Sequence, residues 1–245
     1  MASCLVVQHV EPEGPYAIGD ALEAAGVTMD VRPVFAGAPL PPDLADFEGL
    51  VVMGGPMSAT SDRGFPSRAA ELGLLSDALA RGRPTLGVCL GAQLLALAAG
   101  GTVSPGEAGP EIGWAPVVLA GAAGDDPLLA GLPDRLTVLH WHGDTFELPS
   151  ATVLLASNPR YENQAFRTGD RAWGLQFHIE IDARAVAAFL DAFGADAAAA
   201  GTSATAIAAD VPAMLQALGP LRHEILGRFA ALVAAHDRQP LGDRA

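Results

Sequence analysis

Lysine is missing from this chain of 245 residues, so all 14 of its cationic side chains are arginine, against 28 aspartates and glutamates. The chain therefore has no lysine to form a Schiff base and no lysine-bearing phosphate loop, which disfavours activation of a substrate by ATP through such a loop. The formal net charge of −14 also disfavours nucleic acid, because nucleic-acid binding depends on clustered cations. Small molecules and other proteins remain as the expected partners.

Cysteine and long apolar runs are scarce as well. Cys4 and Cys89 are the only cysteines, which argues against a disulfide framework and leaves at least one thiol free for chemistry. No apolar run approaches the roughly 18 residues that a membrane-spanning helix needs. The first ten residues lack the basic region and cleavage site of a secretory signal, so we expect a cytoplasmic protein that contacts no membrane.

Hydrophobic residues make up 50% of the chain, and their spacing alternates between strand-like and helical patterns. Helical patterns near residues 18–25 and 67–81 separate short apolar runs that predict strands, the first of them buried. These runs are CLVVQHV (4–10), VTMDVRPV (27–34), GLVVMGG (49–55) and PTLGVCL (84–90). Strands separated by helices imply a parallel sheet covered by helices on both faces.

The pattern becomes strand-rich between residues 102 and 177, with short turns and little helix. We interpret this part as antiparallel strands attached to one edge of the parallel sheet. The predicted fold is therefore an α/β fold with an open, mostly parallel, flavodoxin-like sheet, antiparallel edge strands and a helical C-terminal extension.

The chain is helical in pattern after residue 181. Residues 194–203 are rich in alanine and predict a low-complexity linker, so we divide the chain into a domain over 1–193 and an extension over 194–245. Two amphipathic helices are predicted within 204–236, with Gly219–Pro220 as the break between them. Their apolar faces are expected either to pack on the chain's own sheet or to dock another protein, including a homodimer mate.

Residues 87–91 read Gly-Val-Cys-Leu-Gly and lie where a predicted strand meets a predicted helix. This order fits the nucleophile elbow G-x-S-x-G with cysteine in place of serine. The helix N-terminus predicts a lowered pKa for the thiol of Cys89, and the N–H of Leu90 is a predicted oxyanion donor. Taken alone, the pattern fits a buried core cysteine in a glycine-rich turn equally well.

Two further segments favour catalysis. The segment GLQFHIE (174–180) places His178 at the end of a predicted strand and Glu180 two residues later. Because residues i and i+2 point the same way in an extended chain, the carboxylate can orient the imidazole as a base. A glycine turn after the third strand offers the N–H of Gly55 as a second oxyanion donor. All of these residues follow predicted strands, at the sheet edge where ligands bind in open α/β folds.

Five segments, in chain order, resemble the class I (triad-type) glutamine amidotransferases, and most closely proteins similar to the glutaminase domain of GMP synthase. They are GGPMS, GVCLGAQ, EIGW, HWHGD and QFHIE, within about residues 50 to 181. The resemblance implies that Cys89 attacks the side-chain amide of glutamine, that His178 shuttles the proton and that Glu180 orients His178. It also implies that Gly55 and Leu90 form the oxyanion hole.

The resemblance further implies a set of substrate contacts. Gln93 matches a ligand of the glutamine substrate, and the backbone of Trp141, His142 and Gly143 matches a segment that binds the substrate's α-groups. One departure is that many family members have proline between the catalytic histidine and the acid, where this chain has Ile179.

Three functions follow as hypotheses. The first is glutamine hydrolysis through a cysteine thioester, which releases ammonia for a separate synthetase. The second is a γ-glutamyl hydrolase or peptidase that acts on a γ-glutamyl amide. The third is a non-catalytic binding protein with the same fold, which the complete Cys, His and Glu set disfavours.

A metal site would need more ligands than the sequence displays. His140 and His142 lie two residues apart on one predicted strand, as metal ligands often do, but no third ligand stands out in the sequence. We therefore expect neither a metal nor another cofactor.

Overall fold

The computed structural model of the protein describes residues 1–236, and within them the chain forms eleven β-strands and five α-helices. The strands are β1 (Ser3–Gln8), β2 (Thr28–Pro33), β3 (Gly49–Val52), β4 (Thr85–Val88), β5 (Thr102–Pro105), β6 (Glu111–Leu119), β7 (Arg135–His142), β8 (Asp144–Glu147), β9 (Thr152–Ser157), β10 (Ala165–Thr168) and β11 (Ala172–Leu175). The helices are α1 (Tyr16–Ala24), α2 (Arg68–Arg81), α3 (Leu90–Ala98), α4 (Ala183–Phe193) and α5 (Ala204–Ala234). None of these helices combines the length and the apolar character that a membrane crossing needs.

Nine strands form one sheet in the order β2-β1-β3-β4-β11-β10-β9-β6-β7. The five strands from β2 to β11 run parallel to their neighbours. The other four, β10, β9, β6 and β7, are joined in antiparallel pairs at one edge, and β5 and β8 make a separate antiparallel pair. The predicted α/β sheet with antiparallel edge strands is confirmed.

Four of the parallel strands, β1, β3, β4 and β11, are buried on both faces, which explains their near-continuous apolar sequences, whereas the edge strand β2 is partly exposed. Along β1, Cys4 and Val6 point into a core cluster that contains side chains of α1 and α5. Leu5 and Val7 point to the opposite face, into a cluster that contains side chains of α2 and α3. The alternation of one strand thus places helices on both sides of the sheet, and it buries the thiol of Cys4 completely.

One continuous helix, α5, occupies the region where the sequence predicts two. The predicted break at Gly219–Pro220 is wrong, since the helix continues through both Pro212 and Pro220. An interior proline costs a helix about 3 kcal/mol, whereas burial of one large aliphatic or aromatic side chain contributes about 1.5–3 kcal/mol. The large apolar side chains that α5 buries are Ile207, Leu218, Ile225, Leu226, Phe229 and Val233. Packing along the whole helix therefore outweighs the two prolines.

The apolar face of α5 packs within the chain, against α1 and the strands β1, β6 and β7. Residues 194–200, predicted as part of a linker, form a 3-10 helix that packs against α4, α5 and β6 and buries Ala197. The division of the chain at residue 193 stays a prediction. Of the predicted extension, residues 237–245 lie outside the described residues.

Candidate active site

The predicted nucleophile, base and glycine turn meet at one edge of the sheet. Gly55 follows β3, Cys89 follows β4, and His178 follows β11 by three residues. These strands are neighbours and run parallel, so their carboxyl ends lie side by side. The fold thereby brings together residues that lie far apart in the sequence, as the α/β prediction requires.

Cys89 occupies a strained corner between β4 and α3. Its backbone has φ 50° and ψ −106°, a conformation that residues with a side chain rarely adopt and that costs on the order of 1–3 kcal/mol. The backbone N–H of Cys89 donates to the carbonyl of Leu175 at 2.8 Å, which fixes the corner to the neighbouring strand. A folded chain retains such strain where the surrounding packing imposes it, most often at functional sites.

The two positions on either side of the cysteine, 87 and 91, must be glycine for steric reasons. A Cβ atom on Gly87 would lie 2.5 Å from the carbonyl oxygen of Gly91, and one on Gly91 would lie 1.9 Å from the carbonyl oxygen of Val52. Both are backbone contacts, which cannot move aside as a flexible side chain could. The spacing G-x-C-x-G therefore has the steric cause that the nucleophile elbow demands.

His178 and Glu180 form a buried pair behind the cysteine. The Nδ1 of His178 lies 2.7 Å from Oε1 of Glu180, and both side chains are almost fully buried. The backbone of His178 bonds to Leu139 of β7, and its ring packs edge-on against Phe189 of α4 at a centroid distance of 5.0 Å. Among the described residues, the second ring nitrogen, Nε2, has no hydrogen-bond partner.

Two pKa values in this pocket are raised, that of His178 by charge and that of Cys89 by burial. Burial alone would lower the pKa of His178, but the charge of Glu180 and the contact with Cys89 outweigh it and raise that pKa well above its ordinary value. Burial raises the pKa of the Cys89 thiol, although His178 acts to lower it. The expected lowering of the thiol pKa is therefore wrong, because desolvation outweighs the stabilisation that the sequence argument assigned to the helix N-terminus.

The two residues that carry the predicted oxyanion donors, Gly55 and Leu90, lie next to each other. Leu90 is the first residue of α3, so its N–H has no acceptor within the helix. A Cβ atom on Gly55 would lie 3.1 Å from the side chain of Leu90 and 2.9 Å from Cβ of His9. Nδ1 of His9 lies 2.9 Å from the carbonyl oxygen of Gly54, and this hydrogen bond anchors the glycine turn.

A relay of two glutamines leads to the thiol. Nε2 of Gln93 donates to Oε1 of Gln176 at 3.2 Å, and Nε2 of Gln176 lies 3.7 Å from Sγ of Cys89. Sequence reasoning selected Gln93 and missed Gln176. The signal was available, because Gln176 precedes His178 by two residues and an extended chain points both side chains the same way.

The segment Trp141–Gly143 lines the other side of the thiol. The thiol of Cys89 lies 3.6 Å from the carbonyl oxygen of Trp141, and the N–H of Gly106 donates to the carbonyl of Gly143 at 2.8 Å. For His142 the sequence predicted a backbone contact alone. Its side chain also makes a contact, since it turns inward and its Nε2 lies 3.1 Å from Oε2 of Glu111. The predicted substrate segment thus reaches the nucleophile through its backbone.

A cavity of about 510 Å³ connects these groups. Its lining includes Gly55, Cys89, Gln93 and the segment 141–143, which are predicted site residues, together with Phe193, Asp196 and Ala199. The last three come from the end of α4 and the 3-10 helix 194–200, so the predicted linker forms part of the cavity wall.

Glu13 is a second carboxyl group beside the triad, and sequence reasoning missed it. It lines the cavity, and a Cβ atom on Gly54 would lie 1.9 Å from its Oε2 and 3.3 Å from Cε1 of His178. Burial raises the pKa of Glu13 to about 7, with the charge of His178 opposing and that of Glu180 adding to the shift. No local motif marks this residue, since only the fold carries it to the triad.

One group of side chains near the cavity has the composition of a metal site. Within the described part of the chain, Glu111, His140 and His142 place ligand atoms within 4.8 Å of one another, and all three residues are buried. The third ligand that the sequence did not display is therefore Glu111, which the register of β6 and β7 sets directly opposite His142.

Comparisons with known proteins identify the family of this chain. The sequence profile of the family described as glutamine amidotransferase class-I matches residues 15–193. The glutamine amidotransferase-like protein YfeJ of Salmonella typhimurium is 38% identical over 170 residues, which cover 67% of this chain and 70% of YfeJ. A glutamine-hydrolyzing GMP synthase of Porphyromonas gingivalis is 39% identical over 145 residues, which cover 58% of this chain and only 26% of the synthase.

A solved structure matches almost the whole chain. The crystal structure of a glutamine amidotransferase from Thermotoga maritima superposes with a TM-score of 0.84 at 30% identity, covering 94% of this chain and 98% of that one. The profile match extends over well over half of the 245 residues. The chain therefore belongs to the class I glutamine amidotransferase family and is an enzyme of the glutamine amidotransferase type.

Proposed function

We propose that the protein hydrolyses the side-chain amide of glutamine through a γ-glutamyl thioester on Cys89 and releases ammonia for a separate acceptor enzyme. The observation that carries this proposal is the strained corner at Cys89, which opens into a cavity beside the buried His178–Glu180 pair. A nucleophile, a base and a group that orients the base are the parts that acyl transfer needs.

In the first half of the reaction, the sulfur of Cys89 attacks the amide carbon of glutamine. The thiol proton passes to Nε2 of His178, the ring nitrogen that has no hydrogen-bond partner among the described residues. The carbonyl electrons move onto oxygen, where the N–H groups of Gly55 and Leu90 stabilise the negative charge. The imidazolium then donates its proton to the departing nitrogen, so that the C–N bond breaks and ammonia leaves.

In the second half, water hydrolyses the thioester. Neutral His178 accepts a proton from water as the water oxygen attacks the same carbon. The C–S bond then breaks to release glutamate, and the imidazolium returns the proton to the sulfur of Cys89. Glu180 holds the imidazole in position and stabilises its cationic form. The relay of Gln93 and Gln176 fixes one side of the thiol in the position for attack.

The acceptor of ammonia is assigned to another enzyme on chemical grounds. The 245 residues contain no lysine and hence no lysine-bearing phosphate loop with which to activate an acceptor. The GMP synthase relative is named for glutamine hydrolysis, and this chain matches only about a quarter of its length. We therefore assign the use of ammonia to a separate synthetase and the location of the pair to the cytoplasm.

A second candidate, hydrolysis of a γ-glutamyl amide or peptide, is favoured by the size of the cavity. Its volume of about 510 Å³ falls in the range of pockets that hold drug-sized ligands, and it extends beyond the thiol to Phe193 and Asp196. Such a cavity has room for a leaving group larger than ammonia. The chemistry at Cys89 is the same in both cases, and the leaving amine differs.

Two measurements on the purified protein separate these functions. Ammonia release from glutamine is compared with amine release from a series of γ-glutamyl dipeptides, and a glutamine-mimicking electrophile is used to label the enzyme before mass spectrometry. We expect labelling at Cys89 and not at Cys4, which is fully buried in β1. A higher kcat/KM for glutamine supports the first function, and a higher kcat/KM for a dipeptide supports the second. Labelling at Cys4 alone, or no hydrolysis of either substrate class, would overturn the thioester proposal.

A further inference from the structure

The cluster of Glu111, His140 and His142 has the chemistry of a transition-metal site next to the active-site cavity. The three residues lie on paired strands, Glu111 on β6 and the histidines on β7. His142 also lines the cavity, whereas the triad residues His178 and Glu180 lie in the segment that follows β11. The cluster is therefore a separate group of side chains that the proposed reaction does not use.

The hydrogen bonds of His142 leave a lone pair in an unfavourable place if nothing else is bound. Nδ1 of His142 lies 3.0 Å from the carbonyl oxygen of Asp144, and a carbonyl only accepts, so Nδ1 carries a proton. In a neutral imidazole the other nitrogen, Nε2, then holds a lone pair, and it lies 3.1 Å from a carboxylate oxygen of Glu111. Two electron-rich atoms at this distance repel each other unless a positive charge lies between them.

The distances suit a cation bound by all three residues. Oε2 of Glu111 lies 3.1 Å from Nε2 of His142 and 3.8 Å from Nδ1 of His140. Tetrahedral zinc with bonds of about 2.0–2.2 Å separates its ligand atoms by about 3.3 Å, between these two values. Neither of the two imidazole nitrogens has a hydrogen-bond partner within the described residues, although both are buried.

The surrounding hydrogen bonds are those of a metal site. A ligating histidine usually donates its other ring N–H to a backbone carbonyl or carboxylate, as His142 does to Asp144. Ligating carboxylates are in turn held by hydrogen bonds. Glu111 accepts from Asn158 at 2.9 Å and from the buried Gln164 at 2.6 Å, so two side-chain amides hold its carboxylate in place.

We propose that Glu111, His140 and His142 bind a divalent first-row transition cation of the Zn²⁺ type, which fixes the end of β7 beside the cavity. Two imidazoles and one carboxylate suit such a cation, whereas Mg²⁺ prefers oxygen ligands and retains its waters. Through His142 the cation holds the segment Trp141–Gly143, whose carbonyl group faces the thiol. Metal binding at this cluster does not depend on the proposed function. Only an effect of the metal on turnover rests on that function.

The test uses Co²⁺ as a spectroscopic probe in the Cys89→Ala protein, because the thiol would otherwise compete for the metal. We expect one equivalent of Co²⁺ to give the visible absorption of a low-symmetry, four- or five-coordinate site, Zn²⁺ to displace it and Mg²⁺ to leave it unchanged. Glu111→Gln should weaken binding about 100-fold or more, since removal of a ligand exceeds the 10–100-fold effect of outer partners. Glu71→Gln is the matched control, because Glu71 is also a buried carboxylate paired with a histidine, His9, and should leave binding unchanged.

A second measurement needs no change in the cluster and so does not depend on the stability of Glu111→Gln. Nitrogen NMR of the imidazoles in the Cys89→Ala protein should show that Zn²⁺ shifts Nε2 of His142 and a ring nitrogen of His140, with His9 unaffected. The proposal is overturned if no Co²⁺ binds, if Glu111→Gln binds it as tightly as Glu71→Gln does, or if His142 is an imidazolium whose spectrum Zn²⁺ does not change. The last result would identify the cluster as a buried ion pair.

Discussion

Two buried histidine–carboxylate pairs lie on either side of the glycine turn 54–55, and their geometry is nearly the same. In one pair His178 lies 2.7 Å from Glu180, and in the other His9 lies 2.7 Å from Glu71. Burial alone would lower the pKa of both imidazoles, and in both the neighbouring carboxylate raises it instead. Neither distance nor burial nor pKa direction therefore distinguishes a proposed catalytic base from a structural histidine.

The difference lies in the second ring nitrogen. Nδ1 of His9 bonds to the carbonyl of Gly54, so both of its nitrogens are engaged. Nε2 of His178 has no hydrogen-bond partner among residues 1–236 and lies beside the Cys89 thiol. A histidine can move a proton only through a nitrogen that is available, so one pair is suited to chemistry and the other to holding the turn.

The largest effect is expected from loss of the nucleophile itself. This substitution tests whether the available nitrogen of His178 acts by taking the proton of Cys89. Cys89→Ala should lower kcat by about 10³-fold or more, because the thioester can no longer form. The measurement is glutaminase turnover, with circular dichroism to confirm the fold. Cys4→Ala is the control, and retention of a tenth of the activity by Cys89→Ala would contradict the assignment.

The next largest effect is expected in kcat when the same substitution is made at the two histidines. His178→Asn should lower kcat by about 10² to 10⁴-fold, the usual contribution of general acid–base catalysis. Steady-state kinetics at saturating substrate measure this loss, and His9→Asn is the matched control. Equal losses of kcat in both variants, after correction for folded protein, would remove the distinction between the two pairs.

The structural pair should show its effect in stability. His9→Asn leaves the carboxylate of Glu71 buried without its partner, which typically costs about 3–5 kcal/mol. Denaturant unfolding measures the change, and a loss well below that range would mean that water or another group satisfies Glu71.

A smaller kinetic effect is expected for Glu180→Gln. The charge of Glu180 raises the pKa of His178, so its removal lowers that pKa. The proposed attack begins with a neutral His178, so the acidic limb of the kcat/KM profile should move to lower pH, with a loss of rate below that of His178→Asn. An unchanged acidic limb would show that Glu180 does not set the titration of the base.

The smallest expected effect is the pH dependence of stability that Glu13 contributes. Its pKa is raised from 4.5 to about 7 in the folded protein, so the folded state binds more protons than the unfolded state between these values. Stability is therefore lost as pH rises from 4.5 to 7, by on the order of 3 kcal/mol. Glu13→Gln should flatten the dependence of unfolding free energy on pH in this window. An identical slope in both proteins would show that Glu13 does not titrate there.

The sequence predicted those features whose cause is local. The elbow at Cys89 needs small neighbours in the chain itself, so Gly87 and Gly91 reveal it, and the i, i+2 spacing of His178 and Glu180 needs only an extended backbone. The order of strands and helices followed from hydrophobic spacing for the same reason. Each of these patterns places cause and effect within about five residues.

Features that depend on distant parts of the chain were missed or wrongly predicted. Glu13 lies beside His178 only because the fold brings the ends of β1 and β11 to the same edge of the sheet. Glu111 becomes a possible ligand only through the register of β6 and β7. The pKa of Cys89 rises because of burial that its own helix does not reveal. Packing over the length of α5 likewise outweighed the local preference of Pro220 to end a helix.

The place of α5 has a consequence for the order in which the chain folds during synthesis. Near its end, Val233 approaches Gly49 so closely that a Cβ atom on that glycine would lie 2.7 Å from the valine, in the core cluster that also contains Cys4 of β1. Synthesis proceeds at about 5–20 residues per second, so the first strand waits at least about 12 seconds for the helix that covers it. During this interval the part of that face which α5 covers is exposed, so we expect the nascent protein to need protection from aggregation until translation has passed residue 233.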